Sequence, residues 1–289
     1  MKFGIVIVTY NPNISLLENN IKNYSNISNY VVIVNNSSTD IKVRSKCSVI
    51  NLHKNKGIAF AQNKGVETLL NAGVDYVFFF DQDSIVENDY FYKMLELWKK
   101  IEKENKKIGA LCPSIYDRNQ GVVSHIDIVD NNTSVFCDSK IAVCNTLPIS
   151  SGMLTKVDIF NEVGGNISGM FIDWIDFDYD IRLILNGFNV YTTSLVCIDH
   201  AVGNATKHRF FHKEIAVSNH APLREYYFFR NGVYLVKKDG KKFKPIRKMV
   251  VNMLLRRIVF VFYESNKCLR IKYIIRGLYD GFRGKLNEV

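Results

Sequence analysis

Two groups of acidic residues could bind a metal or move a proton, and the more specific one is Asp81-Gln82-Asp83. Its two carboxylates directly follow the apolar run 76–80, which predicts that they extend from the end of a strand into a cleft. Hard oxygen ligands suit Mg²⁺ or Mn²⁺, and such an ion can bridge a diphosphate and neutralise it. An isolated pair of acids usually faces water, but the position of this pair after an apolar strand favours a metal site.

The second group comprises Asp173, Asp176, Asp178 and Asp180, which lie among aromatic residues in the segment 171–182. On a helix, Asp173, Asp176 and Asp180 would share one face. Like charges so close together repel one another, so a purely structural explanation requires a solvated surface. The flanking aromatic residues make full exposure unfavourable. A carboxylate held beside aromatic rings can have a raised pKa and act as a general base.

Two further segments could contribute polar contacts. His200 follows the apolar run 195–198. A single histidine is more often structural, but at a strand end it is a reasonable third metal ligand. The segment 224–231 places aromatic residues between arginines. It fits either a helix with a packed aromatic face or a site where arginine contacts phosphate and tyrosine stacks on a sugar ring.

The elements that must position these residues alternate between strands and helices. Continuous apolar runs predict buried parallel strands, and they lie at residues 3–8, 30–34, 49–52 and 76–80. Two helices are predicted between them, at residues 14–24 and 57–70. This alternation predicts an α/β fold with a mostly parallel sheet and helices on both faces. Ligands bind such sheets at the carboxyl ends of the strands, where the polar clusters fall.

Composition bounds the class of protein. The 289 residues are 47% hydrophobic, which suffices for one large domain or for one domain with an appendage. The six cysteines are irregularly spaced and form no C-x-x-C pair, which argues against a disulfide framework or a zinc site. No apolar run reaches the roughly 18 residues of a spanning helix, and the first run is too short for a signal peptide. We therefore expect a cytoplasmic protein.

The positive charge is concentrated at the end of the chain. The last 53 residues contain 15 lysines and arginines but 4 acidic residues, so the whole formal excess of +10 lies there. Helical spacing of apolar and basic residues predicts an amphipathic helix that binds the inner face of the cytoplasmic membrane. Alternatively, the apolar face packs on the sheet domain or in a homodimer; no nucleic-acid contact is expected, because the tail lacks a binding module. The predicted face comprises Ile246, Met249, Val250, Met253, Leu254, Ile258, Val261 and Phe262.

Several motifs, taken together and in order, resemble those of family 2 glycosyltransferases. They are Val8-Thr9-Tyr10-Asn11, the cluster 35–40, Asn55-Lys56-Gly57 with Asn63-Lys64-Gly65, and Asp81-Gln82-Asp83. The resemblance spans residues 1 to about 231. Phe80 to Ser84, Phe171-Ile172-Asp173 and Tyr226-Tyr227 with Arg230-Asn231 are most similar to the bacterial rhamnosyltransferase branch. That branch builds capsule, O-antigen and cell-wall polysaccharides.

The resemblance implies a GT-A fold, with a Rossmann-like sheet, flanking helices and a C-terminal helical extension. The catalytic domain would span residues 1–235, with a nucleotide-sugar half at 1–113 and an acceptor half at 114–235. Residues 236–289 would form the basic amphipathic tail.

The resemblance also implies roles for individual residues. Asp176 matches the catalytic base, and Asp83 and His200 match ligands of Mn²⁺ or Mg²⁺. The donor-binding residues would be Thr9, Tyr10, Asn11, Asn35, Asp40, Asn63, Asp81 and Gln82. Acceptor or diphosphate contacts would come from Asp173, Trp174, Tyr227 and Arg230. The family usually has Asp where this chain has Asn35, so the chain departs from the family in the loop that recognises the donor base.

The expected function is inverting transfer of a sugar from a nucleotide diphosphate donor to a glycan or lipid-linked acceptor. The resemblance implies dTDP-rhamnose as donor, and a UDP-hexose or UDP-galactofuranose is the alternative. A nucleotidyltransferase is disfavoured, because the loop 8–13 contains neither glycine nor a basic residue. A non-catalytic membrane-binding scaffold is disfavoured by the acids at Asp83 and Asp176.

Overall fold

In the computed structural model the described residues are 2–87, 89–104, 106–117, 122–123, 142–144, 146–200, 206–210, 213–217 and 219–286. The strands are β1 (Phe3–Thr9), β2 (Val31–Asn35), β3 (Ser48–Asn51), β4 (Tyr76–Asp81), β5 (Ile108–Asp117), β6 (Val122–Val123), β7 (Ala142–Cys144), β8 (Leu154–Lys156), β9 (Asn189–His200), β10 (Thr206–Phe210) and β11 (Lys213–Val217). The helices are α1 (Ile14–Ile27), α2 (Ile58–Asn71), α3 (Tyr90–Lys103), α4 (Val157–Glu162), α5 (Ile175–Leu185), α6 (Leu223–Asp239), α7 (Pro245–Val261) and α8 (Lys267–Arg283). A short 3₁₀ helix spans Ser168–Met170.

The central sheet is mixed but mostly parallel in its first half. Its strand order is β3-β2-β1-β4-β8-β5-β9-β7, and β6 pairs with β5. Strands β3, β2, β1 and β4 are parallel, whereas β8 runs antiparallel to both β4 and β5. Strands β5 and β9 are again parallel. The predicted α/β fold with a mostly parallel sheet and flanking helices is therefore confirmed.

Central strands bury both faces because their side chains alternate between two cores. Phe78 and Phe80 of β4 point to one core, where both contact Phe91 of α3. Phe79 points to the other core and packs against Phe160 of α4. All five rings are at most 2% exposed, and burying a side chain of this size contributes roughly 1.5–3 kcal/mol. This two-sided burial explains why β4 reads as a continuous apolar run that ends at the acidic motif.

The C-terminal helices form a layer in which α6 contacts both α7 and α8. Two glycines allow α8 to approach α6 closely. A Cβ atom on Gly277 would lie 2.5 Å from the backbone oxygen of Tyr226, and one on Gly281 would lie 2.6 Å from that of Arg230. The Tyr226 hydroxyl also donates a hydrogen bond of 2.9 Å to Asp280. Residues 235 and 236, where the domain boundary is predicted, lie inside α6, and the division into domains stays a prediction.

The apolar face predicted for the tail is largely turned toward the protein itself. Ile246, Val250 and Val261 are buried, and Met249, Met253 and Leu254 pack against the same cores. Only two of the eight predicted residues are exposed, Ile258 at 39% and Phe262 at 67%. Packing on the chain, the alternative to membrane contact, therefore accounts for most of this face. No helix within the described ranges is long and apolar enough to cross a membrane.

We expect Gly277→Leu to destabilise the protein by at least about 1–3 kcal/mol, the usual cost of overpacking, because the new side chain would collide with the backbone of α6. The midpoint of chemical unfolding would measure this loss. Lys272→Leu, an exposed position on the same helix, is the matched control and should change stability little. Equal midpoints for the two variants would contradict the close approach of α8 to α6.

Candidate active site

A cleft of 280 Å³ opens at the carboxyl ends of the parallel strands. The register pairs Thr9 with Asn35 and Val8 with Asp81, so the polar residues that end β1, β2 and β4 meet at one edge of the sheet. The cleft is lined by Val8, Thr9, Tyr10, Asn36, Asn55, Gly57, Ile58, Asp81, Gln82, Phe171 and Ile172. The sequence thus correctly predicted the edge of the sheet at which the cleft lies.

One wall of the cleft depends on Gly57, which adopts a φ of 84° just before α2. The backbone N–H of Ile58 donates a 2.7 Å hydrogen bond to the oxygen of Phe171. A Cβ atom on Gly57 would lie 2.5 Å from that same oxygen. Only glycine therefore allows α2 to begin against Phe171. This contact brings the start of α2 and residues 171–172 together in the lining of the cleft.

Asn35 is fully buried and holds the loop after β2 instead of lining the cleft. Its side-chain amide donates to the oxygen of Thr39 at 2.9 Å and to the Asn51 side chain at 2.8 Å. Its side-chain oxygen accepts from the N–H of Ser37 and from the Thr9 hydroxyl. An aspartate could not donate these two bonds and would bury a charge. The departure from the family pattern therefore has a structural explanation, while contact with the donor stays a prediction.

The loop after β1 is fixed by side chains from two neighbouring strand ends. The Tyr10 N–H donates to the side-chain oxygen of Gln82 at 2.8 Å, and the Asn11 N–H donates to the Ser37 hydroxyl at 2.7 Å. The Tyr10 ring itself is 53% exposed at the mouth of the cleft. An exposed aromatic ring in the lining of a cleft can stack on a nucleoside base, the role that the resemblance implies.

Besides Asn11 and Asn35, two more of the predicted donor-binding residues lie outside the lining of the cleft. Asp40 is exposed and lies 3.1 Å from the His53 ring. The Asn63 amide donates to the oxygen of Asn166 at 2.7 Å and to the Ser168 hydroxyl at 3.1 Å. Asn63 thus ties α2 to the segment that leads into residue 171. Donor contacts by these two side chains stay predictions.

The acidic motif after β4 begins in the lining of the cleft. Asp81 lines it, and Asp83 is half-buried two residues further on. Within the described ranges, no three acidic, histidine or cysteine side chains converge as a closed metal site. Two carboxylates still fit Mg²⁺ or Mn²⁺, because such ions commonly take one or two carboxylates and complete their shell with substrate phosphates and water. The backbone of His200 ends β9, and its side chain lies outside the described part of the protein.

The second acidic group is divided by the start of α5. Asp176 lies in the first turn, whereas Asp173 precedes the helix with a φ of 64°. The prediction that Asp173, Asp176 and Asp180 share one helical face was therefore wrong for Asp173. The Asp173 carboxylate is held instead by the Arg224 guanidinium, whose Nε and Nη2 atoms donate at 2.8–3.2 Å.

The carboxyl group of Asp176 has a raised pKa. Burial raises the pKa of Asp176 to about 6, hydrogen bonds from Ser150 lower it, and the charges of Asp81 and Asp173 raise it. The influence of Asp81 on this pKa indicates that Asp176 and the acidic motif of the cleft are electrostatic neighbours. A carboxylate with a pKa near 6 is ionised at neutral pH and still basic enough to accept a proton in a transition state.

The other two acids of α5 are buried for different reasons. Asp178 accepts hydrogen bonds of 2.8 Å from both Arg182 and Lys238, so its charge is paired. Burial raises the pKa of Asp180 well above its ordinary value, and the neighbouring charge of Asp176 raises it further. Oδ2 of Asp180 has no hydrogen-bond partner in the described part of the chain. Burial thus disfavours the charged form of Asp180, and neither Asp178 nor Asp180 lies on a solvated surface.

Residues 171–174, between the 3₁₀ helix and α5, are held by hydrogen bonds from α6. Asn231 is fully buried, and its amide donates to the backbone oxygens of Met170, Ile172 and Asp173 at 2.7–3.1 Å. Arg230, also fully buried, donates to the oxygens of Gly169 and Met170 at 2.7 and 3.1 Å. These bonds assign both side chains to positioning the backbone that leads into Asp176.

Aromatic contacts complete this attachment to α6. The Tyr227 ring stacks on Phe171 with centroids 4.6 Å apart, and the Trp174 indole N–H donates to the oxygen of Phe228 at 2.9 Å. Both Tyr227 and Trp174 are about 4% exposed. The packed aromatic face considered for the segment 224–231 therefore exists, and contact of these residues with an acceptor stays a prediction.

Several positioning residues were not predicted from the sequence. Ser150 bonds to Asp176, and its hydroxyl accepts from the Gln62 amide at 3.1 Å. Gln62 in turn accepts from the Asn166 amide at 2.6 Å. These polar residues come from α2 and from two loops, and no spacing pattern connects them. Their convergence depends on tertiary contacts alone. The sequence offered one signal, because Gln62 lies between Ile58 and Val66 on an otherwise apolar helix face.

A family model described as glycosyl transferase family 2 matches residues 4–120. The dTDP-rhamnosyl transferase RfbF of Shigella flexneri is 30% identical over 292 residues, which cover 96% of this chain and 95% of that protein. The poly-beta-1,6-N-acetyl-D-glucosamine synthase of Staphylococcus aureus strain COL is 28% identical over 116 residues, which cover 37% of this chain and 26% of that protein. The match to RfbF therefore extends over the whole site, including α5 and α6.

Solved structures of low sequence identity share the fold. TarS 1–349 of S. aureus in complex with UDP-GlcNAc matches with a TM-score of 0.56 and 14% identity, covering 98% of this chain and 81% of that one. GalNAc-T7 with UDP, GalNAc and Mn²⁺ matches with a TM-score of 0.58 and 12% identity, covering 82% and 48% respectively. These similarities confirm the predicted GT-A architecture.

We expect Ser150→Ala to raise the pKa of Asp176 above 6, because the hydrogen bonds from Ser150 stabilise the ionised carboxylate. An NMR titration of the Asp176 carboxyl carbon would measure the shift directly. Ser25→Ala, at a half-buried position on α1 where the hydroxyl donates to the oxygen of Lys22, is the control and should leave the titration unchanged. An unchanged or lowered pKa in Ser150→Ala would contradict the contact.

Proposed function

Because the chain belongs to glycosyl transferase family 2, we propose that it transfers a sugar from a nucleotide diphosphate donor with inversion at the anomeric carbon. The acceptor would be a hydroxyl of a glycan or lipid-linked sugar in bacterial surface polysaccharide synthesis. The observation that carries the proposal is Asp176, a half-buried carboxylate with a raised pKa that is coupled to Asp81 of the cleft.

Each step of the transfer has a residue suited to it. The nucleoside would lie in the cleft between Tyr10 and the wall at Gly57, with its diphosphate toward Asp81. The Asp176 carboxylate would take the proton of the acceptor hydroxyl while that oxygen bonds to the anomeric carbon. The nucleoside diphosphate leaves from the opposite face with the electrons of the broken bond. A single displacement of this kind inverts the anomeric centre.

The proposed donor is dTDP-rhamnose, on the basis of the similarity to RfbF along nearly the whole of both chains. A UDP-hexose or UDP-galactofuranose is the alternative, since no side chain is assigned to recognition of the donor sugar. Asp81 and Asp83 would hold Mn²⁺ or Mg²⁺, together with His200 if its side chain reaches the ion. When bound, the ion would neutralise charge that develops on the leaving diphosphate.

We expect the purified protein to hydrolyse dTDP-rhamnose slowly in the presence of Mn²⁺ and to transfer the sugar when a suitable acceptor is added. Asp176→Asn should reduce transfer by about 10²–10⁴-fold, the usual contribution of a general base, while donor binding is retained. Asp180→Asn is the matched control on the same helix, because it makes the same change at a buried carboxyl that lines neither cavity. Preferred turnover of a UDP-sugar would overturn the donor, and a loss below tenfold in Asp176→Asn would move the base elsewhere.

We expect Asp83→Ala to abolish the metal dependence of turnover while the fold survives, because the side chain lies beyond the end of β4 and outside both cores. Titration of activity with Mn²⁺, compared with the unfolding midpoint of the same variant, would separate the two effects. Asp89→Ala, an exposed acid paired with Lys93 nearby in the chain, serves as the control. Normal metal-dependent turnover in Asp83→Ala would refute its role as a metal ligand.

The outer surface of α7 and α8 supports peripheral contact with an anionic membrane. Across residues 244–286, nine basic side chains are exposed and no acidic one is. The same range also contains exposed apolar residues, which are Val251, Leu255, Ile258, Phe262, Leu269, Ile271, Ile275, Tyr279 and Phe282. A surface that combines exposed apolar side chains with a single sign of charge matches the membrane interface. The proposed contact therefore uses residues that are mostly different from the face predicted from the sequence.

We expect the intact protein to float with anionic vesicles at low salt, and Ile275→Glu with Phe282→Glu to reduce binding at least tenfold. The control pair Leu70→Glu with Tyr92→Glu adds the same two negative charges at exposed apolar positions outside these helices, and it should leave binding intact. A wild-type protein that stays in the soluble fraction would refute membrane contact. A concentration-dependent dimer that the first pair disrupts would then assign the surface to a second copy of the chain.

A further inference from the structure

A second cavity of 230 Å³ lies between α6 and α7, immediately beside the donor cleft. Asp173 lines this cavity, and the preceding residue, Ile172, lines the cleft. The charge of Asp173 also raises the pKa of Asp176, so the cavity opens close to the proposed base. A group bound there would lie on the acceptor side of the reaction.

Three guanidinium groups face the cavity, from Arg224, Arg256 and Arg257. Arg224 is held by Asp173, and its Nη1 atom lies 3.2 Å from Nδ1 of His220. Burial and the charge of Arg224 lower the pKa of His220 to about 4, so at neutral pH the ring adds no charge and accepts from Arg224. Arg224 is thus fixed by one charged and one neutral partner.

The second buried guanidinium, Arg257, belongs to an ionic cluster behind the cavity. Its Nε atom donates to Glu225 at 2.8 Å, and its Nη2 atom contacts Glu264 at 3.3 Å. Arg270 bonds to the same two carboxylates. These four charges balance one another, and Asp173 balances Arg224. The positive surplus at the cavity is therefore that of Arg256, which is exposed and lies over the Phe260 ring with its guanidinium carbon 5.4 Å from the centroid.

The remaining walls are apolar and come from Phe228, Met253 and Phe260. Cationic and apolar walls together match a ligand with a phosphate group next to hydrocarbon, since arginine forms strong charge-assisted hydrogen bonds with phosphate oxygens. Met253, Arg256 and Phe260 all lie on α7, the helix whose opposite side carries the exposed residues Val251 and Leu255. One helix thus connects the cavity with the surface proposed for membrane contact.

We propose that this cavity binds the phosphate or diphosphate of a lipid-linked acceptor, with the first carbons of the lipid against the apolar wall. The inference rests on the proposed function, because it gives the acceptor of the same site its chemical class. A phosphate held by Arg224 and Arg256 would direct the attached sugar past Asp173 toward Asp176. The lipid chain would leave along α7.

The test uses Arg256→Glu in the full-length protein, with Lys248→Glu as the control. Both residues are exposed on α7, and both changes replace one positive charge with one negative charge on that helix. Of the two residues, only Arg256 lines the cavity. Binding of farnesyl diphosphate and of inorganic pyrophosphate would be measured by calorimetry in EDTA, which suppresses metal-dependent binding in the donor cleft. Asp83→Ala is measured in parallel, because a ligand in the cavity should not depend on it.

We expect farnesyl diphosphate to bind wild type, Lys248→Glu and Asp83→Ala alike and to bind Arg256→Glu at least tenfold more weakly. Pyrophosphate should bind more weakly than farnesyl diphosphate. Equal affinity of wild type and Arg256→Glu would overturn the cavity as the site, and equal affinity of the two ligands would overturn the lipid assignment. Because these measurements need no donor, they stay interpretable if sugar transfer is not found; conversely, transfer with an unchanged acceptor KM in Arg256→Glu would refute this inference alone.

Discussion

The backbone between Phe171 and Trp174 depends on hydrogen bonds from α6, and the site depends on that backbone. Phe171, Asp173 and Trp174 all have φ angles of 64–66°, and each such non-glycine conformation costs on the order of 1–3 kcal/mol. Net contributions of about 0.5–1.5 kcal/mol per hydrogen bond mean that one contact could not offset this strain. The several bonds from Arg230 and Asn231 together can.

This attachment explains how the C-terminal helices support the candidate site. The strained segment forms a wall of the cleft at Phe171, lines the second cavity at Asp173 and leads into the proposed base, Asp176. Helix α6 holds the segment, and α8 approaches α6 through its two glycines. Loosening of α8 would therefore be transmitted to Asp176 through α6, although no residue of α8 lines either cavity.

The sequence was sufficient to predict the mostly parallel sheet and the edge at which the cleft lies, because both depend on local patterns; the assignment of Asp176 as base stays a prediction. Apolar runs marked the buried strands, and Asp81-Gln82-Asp83 directly followed one of them. The fate of each acid was not predictable in the same way. Asp178 is paired by Lys238 from a distant helix, and Asp173 leaves the expected helical face because α6 stabilises a turn. Helical periodicity contains no information about such partners.

For the C-terminal tail, periodicity was likewise insufficient to predict which side chains are buried. Its sequence contains more apolar residues than one helix face can bury, so periodicity alone could not distinguish the side that faces the protein from the side that faces outward. The structure separates them: Ile246 and Val250 are buried beside Trp174, whereas Val251 and Leu255 are more than half exposed. The inward side packs beside the segment that leads into Asp176, and the outward side is the surface proposed for membrane contact. Since both lie on α7, a contact on its outer side would act on the helix that also lines the cavity at Asp173, and the proposed membrane contact and the proposed acceptor site would share this helix.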